Sequence, residues 1–202
     1  YKYIGLSFWG IGLILLLLTY MPIINAYISY WFYPKPESVD IQIQTDAIEE
    51  EDKKENVVFI DKDFGIYIPK INTNAKIIAN VNTNLESEYI EALKDGVAHA
   101  SGTSFPNQDG NVFLFAHSAV NFYEKNKYNF YFYLLGELEK NDDIYLSYRG
   151  VIYRYLVQEI KIINPDEIEY LGKKTSSKTL TLMTCWPAGM NLKRQIVTAI
   201  QE

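Results

Sequence analysis

The chain has 202 residues with 19 basic and 25 acidic side chains, is 48% apolar, and holds one cysteine and two histidines. The apolar content excludes wholesale disorder, and the single thiol excludes an internal disulfide framework or a cysteine-rich zinc cluster. A net charge of −6 without a basic stripe gives no reason to expect a nucleic-acid partner.

The acidity is local. From Glu37 to Glu55 there are eight acids and two lysines, a net of −6, which leaves 17 acids and 17 bases elsewhere. Between Lys2 and Lys35 no residue is charged, and Ile11–Tyr20 reads IGLILLLLTY. About twenty apolar residues cross a hydrocarbon core roughly 30 Å thick, so residues 1–34 are expected to form a transmembrane anchor. Trp9 at one end and Tyr30, Trp31 and Tyr33 at the other suit the two interfaces. The run exceeds the apolar part of a signal peptide and no small-x-small cleavage site follows it, so a retained single span is expected. Lys2 in front and the acids behind place the remainder outside the cell. Residues 35–56, charged and poor in apolar side chains after Ile48, read as a tether.

Residues 57–202 read as one mainly β domain. Asp63–Ile78 alternates apolar and polar residues but contains Pro69, which suits an edge strand. Glu86–Lys94 puts Tyr89, Ile90 and Leu93 on one side of a helix ending near Gly96. Asn111–Ala116 is a buried strand behind a turn at Asn107–Gly110, and Tyr131–Leu138 is expected to be helical. Ile144–Tyr148 and Val151–Ile163 form a hairpin turning at Arg149-Gly150. Thr179–Cys185 and Gln195–Ile200 are two further strands, and the set predicts an antiparallel barrel or sandwich.

Cys185 ends the strand TLTLMTC, in which Leu180, Leu182 and Thr184 share one face and Thr179, Thr181, Met183 and Cys185 the other. A thiol there is either a nucleophile offered to a cleft or an inert buried side chain. His117, at the end of the NVFLFA strand, is either a structural histidine or the base such a nucleophile needs; His99, with no comparable strand before it, is its competitor. Arg194 opens the last strand and can stabilise a developing oxyanion, whereas Arg149 and Arg154 read as solvated.

FLFAHS around His117, Thr181-Leu-Met-Thr184-Cys185, Arg194 nine residues on, and the preceding span together resemble a sortase, a membrane-anchored cysteine transpeptidase. Pro187-Ala-Gly189-Met-Asn191 and the stretch from Gly96 to Asn111 fit the same family, so the resemblance covers residues 60–202. Ala116 departs from the glycine often found before the histidine. The resemblance implies a closed β-barrel of about eight strands with short helices. It also implies a groove where Cys185, His117 and Arg194 are catalytic and Thr184, Trp186, Ser118 and Ala116 bind substrate. The implied reaction cleaves a C-terminal LPxTG-like sorting signal through a thioester on Cys185 and passes the acyl group to an amine of a cell-wall precursor or pilin. The chain has no Asp-Pro dipeptide of the kind found in pilin-polymerase lids, which favours surface-protein anchoring over pilus assembly. A hydrolytic cysteine peptidase and a non-catalytic, membrane-tethered binding module are the competing readings. No cofactor or metal is expected. Calcium, which some sortases bind, would have to draw on Glu86, Glu88, Asp166, Glu167 and Glu169, and these read as solvated acids.

The membrane topology is testable. Protease added to intact cells should release a fragment beginning within residues 37–55; protection of a tether that is cut readily in lysed cells would put the domain on the inner side.

Overall fold

The register of eight strands decides where every side chain of interest lies. The computed structural model describes residues 9–17, 21, 24, 28, 59–118, 131–167, 176–188 and 190–202. The chain divides into two compact units, Tyr1–Glu37 and Ser38–Glu202. In the first unit, residues 9–17 are helical and exposed. No helix among the described residues is long and apolar enough to cross a membrane, and most of the expected anchor and all of the tether lie outside them.

The second unit is a closed barrel. Its strands are β1 (Phe64–Ile68), β2 (Thr73–Val81), β3 (Val97–Ala100), β4 (Gly110–Phe115), β5 (Asp143–Tyr148), β6 (Val151–Ile163), β7 (Lys178–Trp186) and β8 (Lys193–Gln201). Their order around the barrel is β1-β2-β3-β4-β7-β8-β6-β5. Helix α1 (Glu86–Asp95) links β2 to β3. Ile66, Ile68, Leu114, Leu146, Leu180, Leu182 and Val197 are completely buried in the core. Each such side chain contributes about 1.5–3 kcal/mol relative to remaining exposed.

Three expectations need correction. The Asp63–Ile78 stretch is two strands, not one edge strand: Pro69 opens a 3-10 turn, and Asn72, at φ 48°, closes it by donating its N–H to the Pro69 carbonyl at 3.0 Å. Proline is tolerated because the turn places it outside the ladder. The segment from Tyr131 holds only turns and a 3-10 turn at Leu135–Glu137. Phe132, Leu135 and Leu138 are buried at a spacing of three, a period that a 3-10 turn satisfies as well as an α-helix does. Gly136 sits in that turn because a Cβ there would meet the Gln195 Nε2 at 2.8 Å. The barrel is also not purely antiparallel, since β2–β3 and β4–β7 are parallel pairs. The α1 crossover makes the first of these possible, because parallel neighbours need a long connection.

The β4–β7 pair carries its own register lock. Asn111 and Thr179 are directly opposed, and the buried Asn111 Oδ1 accepts from Thr179 Oγ1 at 3.1 Å and Thr181 Oγ1 at 3.0 Å. Asn111→Ala should therefore cost about 1–3 kcal/mol in denaturant unfolding, because it strips a buried hydroxyl of its acceptor. An unchanged midpoint would show that the lock contributes nothing to stability.

Candidate active site

Three strand ends converge on Cys185. In the antiparallel β7–β8 ladder, Cys185 stands directly opposite Arg194, and Trp186 opposite Lys193. On the other side of β7, the parallel register runs Leu114 to Leu182 and Phe115 to Met183. It continues past β4, with the Ala116 N–H donating to the Met183 carbonyl at 3.2 Å and Thr184 Oγ1 donating to the Ala116 carbonyl at 2.9 Å. His117 is the next residue after Ala116, two beyond the end of β4, and Cys185 the next after Thr184. Residues opposed across a sheet share a face, with Cβ atoms about 4.5–5.5 Å apart. Cys185 and Arg194 thus share one face of the β7–β8 ladder, and His117 follows the residue that Thr184 clasps.

Exposure follows the same logic. His117 is exposed, and Cys185 and Arg194 are half-buried, so solvent reaches all three. Thr184, Ala116 and Ser118 are buried, and strand alternation turns Thr184 and Trp186 away from the face that bears Cys185. Of the four residues expected to bind substrate, Trp186 alone has substantial exposed surface, at 37%. The peptide between Trp186 and Pro187 is cis.

Sequence reasoning assigned no role to Asn191, in the connection between β7 and β8. Its Oδ1 lies 3.5 Å from Cys185 Sγ and also accepts from an Arg194 Nη1, which in turn reaches the Lys193 carbonyl at 3.0 Å. The only signal in the sequence was its place in the Pro-x-Gly-x-Asn string between the cysteine and the arginine.

The other candidates fall away for structural reasons. His99 does lie on a strand, β3, contrary to expectation, and it is completely buried. Its Nδ1 accepts the Asn80 N–H at 3.2 Å, so in the neutral ring the proton resides on Nε2. Nε2 faces the Ser104 carbonyl at 3.1 Å and Thr103 Oγ1 at 2.9 Å, and the Thr103 hydroxyl is itself spent on the Ala100 carbonyl. Phe105 packs on the ring at 4.6 Å between centroids. Every polar atom of His99 is committed to holding β2, β3 and the following loop. Arg154 is held by Asp143 at 2.8 Å and Glu202 at 2.6 Å, and Arg149 lies over the Tyr148 ring.

Among the described residues no group of three or more His, Cys, Asp or Glu side chains is placed to hold a metal ion. Glu88 accepts the Asn82 N–H at 2.9 Å and Glu167 the Asn164 N–H at 2.8 Å, so each closes a local turn. Glu169 lies outside the described residues.

A Sortase domain model matches residues 66–202, and the chain belongs to the sortase family. It is 27% identical over 133 residues to sortase D of Bacillus subtilis (strain 168), which covers 64% of this chain and 59% of that protein. Among solved structures, sortase C1 of GBS Pilus Island 1 matches with a TM-score of 0.59 at 28% identity, over 69% of this chain and 63% of that one. Sortase C-1 from Actinomyces oris matches with a TM-score of 0.59 at 28% identity, over 71% of this chain and 75% of that one. The chain thus spans less than two thirds of the length of the first two relatives.

Burial lowers the His99 pKa from its ordinary value of 6.5, and the Ser104 carbonyl only partly opposes this. Between the folded and unfolded values the unfolded chain binds the extra proton, so stability rises with pH in that window. The contribution is whole above about 6.5 and is lost as pH falls below it. Thermal unfolding from pH 7.5 to 5 should therefore fall more steeply for the parent than for His99→Gln; parallel curves would show that His99 titrates normally.

Proposed function

We propose that the chain is a cysteine transpeptidase that cleaves an LPxTG-like C-terminal sorting signal and joins the released carbonyl to an amine at the cell surface. The observation that carries this reading is the direct pairing of Cys185 with Arg194 across β7 and β8 in a sortase-family barrel, and the exposed His117 just past the end of β4 supports it. Cys185 gives its proton to His117 and attacks the threonine carbonyl of the signal's Thr–Gly bond. The tetrahedral oxyanion is held by Arg194 and by a backbone N–H beyond the cysteine. His117 protonates the departing amine as the C–N bond breaks, leaving a thioester. The acceptor amine then attacks that thioester, gives its proton to His117, and releases the Cys185 sulfur. The thioester divides one amide exchange into two easier steps and retains the acyl group's reactivity between them.

The buried members of the expected binding set act indirectly. Thr184 clasps the Ala116 carbonyl, and so ties the residue before the nucleophile to the residue before the acid–base. Trp186 supplies apolar surface at the strand end. The apolar run between Lys2 and Lys35 supports anchoring of the catalytic domain on the outer face of the cell membrane. The preferred acceptor is a cell-wall precursor. Similarity to a sortase of a pilus island favours a pilin lysine instead, and the absence of an Asp-Pro dipeptide opposes it. Supplying each amine in turn and analysing products separates these acceptors from each other and from simple hydrolysis.

One set of variants tests the chemistry. Cys185→Ala should fold and lose all turnover. Arg194→Lys should lose about 100- to 1000-fold, mainly in kcat, because the oxyanion develops only in the transition state and an ammonium does not reproduce guanidinium geometry. Lys193→Ala should be near normal, since its side chain belongs to the opposite face. Turnover in folded Cys185→Ala, or a normal kcat in Arg194→Lys, would overturn the assignment.

A further inference from the structure

Asn191 holds both the nucleophile and the cation with one atom. A guanidinium has donors only, so the carboxamide group facing Arg194 must be the oxygen and not the nitrogen. That fixes the amide orientation by chemistry. The same Oδ1 lies 3.5 Å from Cys185 Sγ, and an amide oxygen can only accept. At that distance a protonated thiol can donate to the oxygen, and a thiolate cannot. A thiolate at this position would face lone pairs with no proton between them. The Arg194 Nη1, for its part, is engaged by Asn191 Oδ1 and the Lys193 carbonyl, both belonging to the β7–β8 connection and its first strand residue.

We infer that Asn191 is a positioning residue that sets the resting state of the site, holding Cys185 as a thiol and Arg194 turned toward the loop until substrate displaces the carboxamide. The inference rests on the reading of Cys185 as nucleophile and Arg194 as oxyanion partner. Two of its features match that role. Asn191 is exposed, so a peptide can reach it without the core opening. It also lies in the short connection between a cross-strand pair already fixed at Cys185 and Arg194, so a small loop movement releases both contacts together. The latch keeps the sole thiol in its less reactive form when no substrate is bound, since the thiolate is the attacking species.

The test is the pH profile of Cys185 alkylation by iodoacetamide in the full chain, for the parent, Asn191→Ala and Asn191→Asp, with thermal unfolding to verify folding. Asn191→Ala should react about 3- to 10-fold faster at pH 7, with its midpoint displaced to lower pH by about half to one unit, the size of one modest hydrogen bond. Asn191→Asp retains an acceptor for Arg194 but opposes a thiolate with a like charge, so it should react more slowly than the parent. A structural role alone moves neither profile. Profiles that coincide in folded variants, or faster reaction of Asn191→Asp, would refute the latch. Alkylation does not require peptide turnover, so displaced profiles in a chain that transfers no peptide would sink the proposed function and leave the latch standing.

Discussion

The parallel pairing of β4 with β7 is the constraint on which the site depends. These strands are far apart in sequence, and Thr179 and Asn111 meet across 68 positions. Apolar faces alone specify such a pairing weakly, because Val, Leu and Phe pack acceptably in several positions along a strand. A slip of two residues would preserve every face and still move Ala116 away from Thr184. Two polar contacts remove that freedom. Asn111 receives both Thr179 and Thr181 at one end, and Thr184 is fastened to the Ala116 carbonyl at the other. Sliding the strands would leave buried hydroxyls and an amide oxygen unpaired, which costs more than apolar repacking recovers.

The two histidines illustrate how environment divides one residue type into two roles. A six-residue apolar strand precedes His117 and only Gly96-Val-Ala precedes His99. His99 is enclosed by Phe64 and Phe105 and has both ring nitrogens fixed by neighbouring groups, so a change of charge there works against the fold. His117 stands two residues past the end of β4 and is exposed. A general acid–base has to exchange protons with substrate and solvent, and only the second position permits this.

Local pattern made much of the barrel legible. The Arg149-Gly150 hairpin could be read because a two-residue loop needs left-handed backbone at both positions, and they adopt φ of 52° and 79°. The alternation in TLTLMTC was equally plain, with Leu180 and Leu182 fully buried. What escaped was non-local or too short. The four residues of β3 are too few to show a period, and parallel pairing leaves no mark in the sequence of either strand. The set of catalytic candidates came from the family resemblance carried by Thr181–Cys185 and Arg194, not from periodicity. Asn191 could not be assigned at all, because its importance lies in the path of a connecting loop.

Strand geometry also explains why the cation at this site is Arg194 and not its neighbour. Lys193 and Arg194 are adjacent in sequence, both cationic, and both at the start of β8. Cross-strand register gives Arg194 to Cys185 and Lys193 to Trp186, and successive side chains of a strand point to opposite faces. A one-residue slip of β8 against β7 would exchange them and would also turn the Val197 and Ala199 side of the strand out of the core. The same burial that stabilises the barrel therefore selects which positive charge meets the thiol. Arginine suits that position because its donors are fixed in a plane and its charge is permanent, so the site's electrostatics do not depend on the protonation of the cation itself.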